Sequence, residues 1–353
     1  MAFEKTKLSA RRKQIICLIL SALLLIGIFS ACQKAPTDAG DQSPSASKSE
    51  SQPSTSAPQA ESEIKKQAQL RTKDNIDLAL YYVRQNRMDG STVSYPYEQA
   101  KTEYSGLNEA QKKLYDEMLP KVKAFEPFEY TAKEYGYDVL DNVLISASAL
   151  CKDHPECEIY FDIAEVFDGD TTTALKASYF LPNDPEAKSL EDTKQLEKEI
   201  LIFEEECELI AAAVPQDFST YDKYRYLAAY ISIVTSYDND FNGGKQTATA
   251  YGAVQGGKSI CQGYSAGFEY LCRKANLWCE TVSGISQGES HAWNLVKLES
   301  GTYHVDVTWA DADQNATLDD GWQSYFMLTQ DEILTDHEID DGTVATGTAL
   351  TEK

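Results

Sequence analysis

The sequence GGKSICQGYS at residues 256–265 decides the fold of the C-terminal third of the chain. A glycine-rich loop runs into Cys261, and Tyr264, Phe268 and Leu271 follow it at helical spacing. This pattern predicts that Cys261 lies at the N-terminus of a helix. The free backbone N–H groups and the helix dipole at that end favour the thiolate form of a cysteine, which is its nucleophilic form.

Two segments farther along the chain, HAWNLV at 291–296 and YHVDVTW at 303–309, show strand-like alternation. They predict an antiparallel hairpin in which Trp293 faces Asp306. His291 and Asp306 then share one face of the sheet and lie one diagonal step apart, within reach of each other. The opposite face is apolar and should pack on the body of the domain, so the register is well specified.

A cysteine, a histidine and an aspartate placed in this way fit nucleophilic catalysis. Cys261 would be mostly a thiol at neutral pH and needs a base or an imidazolium partner, which His291 can supply. His291 can later protonate a leaving amine, and Asp306 can accept from the second imidazole nitrogen and fix the tautomer. The backbone N–H of Cys261 would help to bind a developing oxyanion, with Gln255 as a candidate second donor.

Three motifs together, CQGY at 261–264, HAWN at 291–294 and HVDVTW at 304–309, resemble the bacterial branch of the transglutaminase-like superfamily. The order of cysteine, histidine and aspartate on helix, strand and strand is also that of the family. The resemblance covers about residues 221–337. It implies an α+β fold with a papain-like transglutaminase core.

The resemblance also assigns roles to the three residues. It implies that Cys261 is the nucleophile, His291 the base and Asp306 the orienting acid, with His291 and Asp306 on adjacent antiparallel strands. Animal transglutaminases that crosslink proteins have Gln before and Trp after the cysteine, whereas Ile260 and Gln262 stand there in this chain. The resemblance therefore does not extend to the crosslinking enzymes.

The beginning of the chain has the pattern of an export signal. Several basic residues precede an apolar run at 15–29, which is shorter than the roughly 20 residues of a membrane-spanning helix and fits a secretory signal. Small residues just before Cys32 resemble a lipobox, which implies cleavage there and lipidation of Cys32. We therefore predict a lipoprotein signal peptide at 1–31 and a lipid-anchored protein on the extracytoplasmic face of the cell membrane. An ordinary signal peptide or an uncleaved anchor is the alternative.

Composition separates the next segment from the rest. Residues 32–63 are rich in Ser and Pro and contain no aromatic residue, so they cannot bury enough apolar surface to fold and are predicted to be a disordered tether. The whole chain has 56 acidic and 32 basic residues and a formal charge of −24. That charge repels phosphate backbones, which argues against a nucleic-acid partner. It also repels anionic membranes, so the lipid on Cys32 would hold the protein there.

Residues 64–215 alternate helical and strand signals and predict a smaller α+β module ahead of a transglutaminase-like domain at 216–345. The predicted elements are a helix opened by a capping box of Asn108 and Gln111, a helix at 138–152, a hairpin turning at 168–170 and a long helix at 185–214. Nothing in this module carries recognisable chemistry.

The sequence thus predicts a cysteine enzyme that acts on amide bonds of a peptide, a protein or a cell-wall peptide. Hydrolysis and acyl transfer share a thioester intermediate, and the sequence does not choose between them. The alternative is a catalytically inactive module of the same fold that binds peptides or cell-wall glycans. Grouped zinc ligands and a phosphate-binding loop are both missing from the sequence, so we predict no metal and no cofactor.

Overall fold

The structure, a computed structural model, describes residues 57–97, 103–184, 186–255, 257–311, 322–340 and 342–350. The predicted signal peptide, Cys32 and most of the predicted tether lie outside the described residues. The chain from Ile64 to Lys353 is one compact unit. Among the described helices, none combines the length and the apolar composition needed to cross a bilayer.

Helices and strands alternate along the described chain. The α-helices are α1 (Ala57–Gln85), α2 (Glu103–Gly106), α3 (Glu109–Lys123), α4 (Ala132–Tyr135), α5 (Tyr137–Asp153), α6 (Pro155–Glu158), α7 (Lys194–Ala212), α8 (Thr220–Val234), α9 (Ala250–Val254), α10 (Cys261–Lys274), α11 (Val307–Ala310) and α12 (Gln330–Ile333). The strands are β1 (Glu129–Thr131), β2 (Phe161–Asp168), β3 (Thr171–Tyr179), β4 (Thr235–Tyr237), β5 (Gly257–Ser259), β6 (Cys279–Ser286), β7 (Glu289–Leu298), β8 (Gly301–Val305), β9 (Phe326–Leu328) and β10 (His337–Ile339). Two 3₁₀ turns cover Lys245–Ala248 and Trp322–Tyr325. The mixed α+β class predicted from the sequence is confirmed.

Helix α1 begins at Ala57 and therefore starts inside the stretch 32–63 that was predicted to be a tether. The sequence APQAESE at 57–63 explains this start, because Ala, Gln and Glu are strong helix formers. The residues before Ala57 are rich in Ser and Pro, so the average composition of 32–63 does not show the higher helix propensity of its last seven residues.

Helix α3 begins as its capping box predicts. The Asn108 side chain accepts the Gln111 backbone N–H at 3.0 Å, and the Gln111 side chain accepts the Asn108 backbone N–H at 3.0 Å. Tyr115, Met118 and Val122 form the buried face of the helix. The next predicted helix, at 138–152, is confirmed as α5.

The predicted hairpin is confirmed as β2 and β3, which pair antiparallel with Asp168 opposite Thr171. Gly169 in the turn has a φ of 58°, a left-handed conformation that glycine adopts without steric cost. Strand β1 pairs with the other edge of β3, so the small sheet has the order β1-β3-β2.

The long helix predicted at 185–214 is wrong at its start, because α7 begins only at Lys194. The Asp184 carboxylate accepts two backbone N–H groups that follow it, which stabilises a local turn in place of a helix. Farther on, the Leu190 backbone N–H donates to the carbonyl of Tyr179 at the end of β3. This hydrogen bond ties Leu190 to the end of the hairpin, and α7 begins four residues later.

The sheet that carries the C-terminal motifs is antiparallel throughout, with the order β10-β6-β7-β8-β9. The register predicted for the β7–β8 hairpin is confirmed, since Asn294 pairs with Val305 and Leu298 pairs with Gly301. The predicted apolar face also packs into the main hydrophobic cluster, through Val296, Leu298, Tyr303, Val305 and Val307.

That main cluster contains residues from both predicted parts of the chain, among them Met118, Phe203, Tyr224 and Phe268. Helix α10 packs against α7 and α8 on one side and against β6 and β7 on the other. The Phe203 and Tyr270 rings, for example, stack at 5.8 Å between α7 and α10. Helices on both sides of residue 215 therefore support the helix that begins at Cys261.

Candidate active site

Cys261 is the first residue of α10, as the sequence predicts. Ile260 before it is extended and offers no side-chain cap, and Cys261 itself is 7% exposed. The helix N-terminus lies close against the turn of Thr247, whose carbonyl accepts the Ile260 backbone N–H at 2.9 Å. A Cβ atom on Gly263 would lie 2.2 Å from that same carbonyl oxygen, so only glycine permits this approach. The CQGY motif thus fixes where the thiol lies.

His291 lies on β7, and its side chain is almost completely buried. Its ring stacks on Trp293 with centroids 5.8 Å apart and meets the edge of Trp309 at 6.2 Å. His291 Nε2 lies 2.8 Å from Asp306 Oδ2, and the Cys261 side chain is close enough to raise the pKa of the imidazole. The structure therefore brings His291 and Asp306 into hydrogen-bond contact, with Cys261 near the imidazole.

Asp306 is not on a strand, which corrects the expected placement of His291 and Asp306 on adjacent strands. Strand β8 ends at Val305, so the predicted pair of Trp293 with Asp306 does not form. Asp306 is instead the N-cap of α11, and its Oδ1 accepts the backbone N–H groups of Thr308 at 3.0 Å and Trp309 at 3.2 Å. A carboxylate satisfied by the following turn favours a helix start over continued strand pairing. The other oxygen, Oδ2, remains directed at His291.

The charges in this group support each other. Burial acts to raise the pKa of Asp306, but hydrogen bonds from His291 and His337 outweigh it and hold that pKa below its usual value. Burial acts to lower the pKa of His291, yet its hydrogen bonds and attraction to Asp306 and Cys261 raise the pKa to about 10. His291 therefore holds a proton at neutral pH, and an imidazolium beside a cysteine stabilises its thiolate.

His337 is a neighbour of this group that the sequence did not single out. Its Nε2 lies 3.2 Å from Asp306 Oδ2, its Nδ1 lies 2.6 Å from Asp336 Oδ1, and its side chain is fully buried. Strand β10 brings it there by pairing with β6, where His337 is opposite Ser286. A three-residue strand at the far edge of a sheet has too short a pattern to be recognised, so no local signal connects His337 with Asp306.

Within the described part of the chain, one group of side chains has the spacing of metal ligands. One donor atom each of His291, Asp306 and His337 lies within 4.8 Å of the other two. Both imidazole nitrogens face the same carboxylate oxygen at hydrogen-bond distance, so hydrogen bonds account for this spacing. The absence of a metal and of a cofactor stays a prediction from the sequence.

A cleft of about 400 Å³ opens beside His291 and is lined also by Tyr237, Glu289 and Trp309. The Cys261 backbone N–H lies near the Tyr237 hydroxyl oxygen and acts to lower the pKa of that hydroxyl. Burial, followed by the negative charges of Cys261 and Glu289, raises the pKa of Tyr237 to about 12, so its hydroxyl keeps its proton at neutral pH. An O–H group and a backbone N–H at the same place are suited to bind an oxyanion.

Gln255, the second oxyanion donor considered from the sequence, is engaged elsewhere. Its side-chain amide donates to Glu206, and its carbonyl oxygen lies 3.4 Å from the Arg71 guanidinium. Burial is the main cause that raises the pKa of Glu206 to about 7. Gln255 therefore serves a polar cluster between α1, α7 and the end of α9, and Tyr237 takes its place as the candidate donor.

A second cavity, of about 420 Å³, lies at the other end of the β7–β8 hairpin. It is bordered by Met88, Ser219, Leu298 and Glu299 among others. Its lining contains carboxylates but neither cysteine nor histidine. Of these two cavities, the cleft beside His291 is the one with a histidine in its lining.

Comparison with known proteins finds a family and two relatives that resemble part of this chain. Residues 210–313 match the model of the transglutaminase-like superfamily. A stretch of 64 residues is 41% identical to Kyphoscoliosis peptidase of Mus musculus and, to the same degree, to that of Homo sapiens. Each match covers 15% of this chain, and the chain spans only 10% of the length of these curated relatives.

The chain therefore carries a transglutaminase-like domain within a mixed α+β structure, as predicted from its motifs. Such a domain points to a cysteine-type enzyme that acts on amides. The bacterial branch of the superfamily stays a prediction, because the comparisons address the superfamily as a whole.

Proposed function

We propose that the protein is a cysteine enzyme that opens amide bonds of peptides through a thioester on Cys261. The observation that carries this proposal is the His291–Asp306 pair at 2.8 Å beside a cleft of about 400 Å³, with Cys261 at the first position of α10 and near the imidazole. The word peptidase in the name of the two relatives supports the same class of reaction.

The first half of the proposed reaction forms a thioester on Cys261. The Cys261 thiolate attacks the carbonyl carbon of the amide, and the carbonyl oxygen becomes an oxyanion that the Cys261 N–H and the Tyr237 hydroxyl can bind. The C–N bond then breaks as His291 gives its proton to the leaving amine. Asp306 stabilises the imidazolium and keeps the ring oriented throughout. The product of this half is an acyl thioester on Cys261.

The second half depends on which nucleophile reaches the thioester. Water, losing a proton to His291, gives a carboxylic acid and returns the Cys261 thiolate, which is hydrolysis. A primary amine in the same position gives a new amide, which is acyl transfer. The substrate that we propose is accordingly a peptide, a protein or a cell-wall peptide, with either outcome open to the same site.

We expect iodoacetamide at about pH 6 to modify Cys261 selectively in the purified protein. An ordinary thiol with a pKa of about 8.5 is largely unreactive at this pH, whereas a thiolate paired with an imidazolium reacts. Burial raises the pKa of several other thiols further and so lowers the background, namely Cys151, Cys157, Cys207 and Cys279. Mass mapping of each cysteine against time would measure the selectivity.

The selective reaction should disappear in His291→Ala, because the variant lacks the imidazolium. His154→Ala is the matched control, since His154 contacts Glu156 in another part of the chain and should leave the rate unchanged. A wild-type Cys261 no faster than its neighbours would contradict the enzyme proposal. It would favour the inactive, ligand-binding module in its place.

We further propose that the protein is held on the extracytoplasmic face of the cell membrane by a lipid on Cys32. The support for this is the apolar run at 15–29 followed by small residues before Cys32. Cells grown with an alkyne-tagged fatty acid should label the wild-type protein, and Cys32→Ser should lose both the label and the membrane association. Label that persists in Cys32→Ser would rule out this site of attachment.

A further inference from the structure

The Asp306 carboxylate has a full set of hydrogen-bond donors. Its Oδ1 accepts two backbone N–H groups of the turn that follows, and its Oδ2 faces His291 Nε2 at 2.8 Å and His337 Nε2 at 3.2 Å. A carboxylate offers about four lone-pair positions, so these four contacts leave it little freedom to rotate. One of the four comes from a side chain that has no place in the reaction described above.

His337 lies between two carboxylates. Its Nδ1 faces Asp336 Oδ1 at 2.6 Å, while its Nε2 faces Asp306. A neutral imidazole carries one N–H, so it would point a lone pair at one of the two carboxylates, whereas an imidazolium donates to both. The ring is thus held between the two carboxylates, with its Nε2 directed at Asp306 Oδ2.

The outer end of this chain of contacts reaches solvent. The Asp336 side chain is 39% exposed, and its Oδ2 accepts the Tyr325 hydroxyl at 2.7 Å. The backbone carbonyl of Tyr325 in turn accepts the Asp306 backbone N–H at 2.9 Å. The titratable groups that face the His337 ring are thus His291, Asp306, Tyr325 and Asp336, and Trp293 and Trp309 complete its surroundings. Of these groups, His291 and Trp309 also line the cleft.

We propose that His337 is a positioning residue of this active site, which holds the Asp306 carboxylate in line with His291 and keeps it ionised. The inference rests on the proposed function, because it concerns the same Cys261 group. It adds a second carboxylate–histidine pair, Asp336 and His337, to the pair formed by Asp306 and His291. His337 touches neither substrate nor thiol in this scheme and acts only through Asp306.

The test is the pH profile of Cys261 alkylation by iodoacetamide in the full-length protein. His337→Phe removes a donor from ionised Asp306, so the carboxylate should become protonated at a higher pH than in the wild type. The acid limb of the profile should therefore move up by about one pH unit, and the rate near pH 6 should fall about tenfold. His337→Gln, which keeps one N–H donor, should recover part of the loss.

Two variants separate this effect from a loss of structure. His304→Gln is the matched control, because His304 is also buried in this sheet but faces the Trp293 indole and Gln330. Its profile should match the wild type. If His337→Phe does not fold, Asp336→Asn is the second test, because Asp336 is partly exposed and its replacement should not disturb the fold. Loss of the Asp336 charge should also move the acid limb to higher pH.

The inference would be overturned if folded His337→Phe, or Asp336→Asn in its place, gave a profile that superimposes on that of the wild type. If the proposed function is wrong, the wild-type Cys261 itself should show no selective reaction with iodoacetamide. The two failures are therefore distinguished by one set of measurements.

Discussion

Replacing Cys261 by alanine should lower amide turnover by about 10⁴-fold or more, because no other atom at the site can form the thioester. What remains would come from binding and from the oxyanion donors alone. Two assays on the purified protein would measure the loss. One follows amine release from a mixture of peptides, and the other follows incorporation of a labelled primary amine, so hydrolysis and acyl transfer are both covered.

Cys272→Ala is the matched control for that variant. Cys272 lies on the same helix as Cys261, is fully buried and belongs to the main hydrophobic cluster. Removing its sulfur should cost about 1 kcal/mol of the free energy of unfolding and leave turnover unchanged. Cys261→Ala should show the reverse, with nearly full stability and no turnover. Turnover that survives in folded Cys261→Ala would show that the thiol is not the nucleophile.

The parts of the fold that could be predicted are those set by local patterns. The alternation of apolar and polar residues fixed the register of the β7–β8 hairpin, since a slip by one residue would have exposed Val296 and Tyr303. The start of α3 followed from two side chains three residues apart, Asn108 and Gln111. In such cases the interacting groups are neighbours in sequence, so the sequence contains the whole interaction.

Other features depend on groups that only the folded chain brings together. Asp306 was expected on a strand because its neighbours Val305 and Val307 alternate, but its carboxylate caps the next turn and ends the strand. His337 reaches Asp306 only because β10 pairs with β6, whereas the hairpin that carries Asp306 lies on the other side of β6. The three catalytic candidates could thus be selected from their motifs, and the side chains that hold them could not.

Replacing Asp306 by asparagine should lower turnover by about 10³–10⁴-fold although the fold survives. Asparagine is as good an N-cap as aspartate, so its oxygen can still accept the backbone N–H groups of Thr308 and Trp309. Its NH₂ group would then face the Nε2 atoms of His291 and His337. A donor there favours the His291 tautomer with its proton on Nδ1, so the remaining lone pair on Nε2 faces the asparagine amide and is not available to act as a base.

The same change has a defined effect on pH dependence. Attraction to Asp306 is a principal cause that raises the pKa of His291 to about 10 against the effect of burial. Without the carboxylate this pKa should fall, so His291 should lose the proton that it gives to the leaving amine at a lower pH, and the basic limb of amide turnover should move down. The rate measured across about pH 5 to 10 would show this shift directly.

Asp311→Asn provides the comparison within the same cleft. Burial raises the pKa of Asp311 to about 7, so Asp311 is ionised across the basic limb, but its Oδ2 is hydrogen-bonded to the Tyr264 hydroxyl at 2.6 Å and not to His291. Its replacement should leave the basic limb in place. Equal shifts in both variants would mean that the general acidity of the cleft sets the pKa of His291. A shift confined to Asp306→Asn would instead assign that role to the single carboxylate at 2.8 Å from the imidazole.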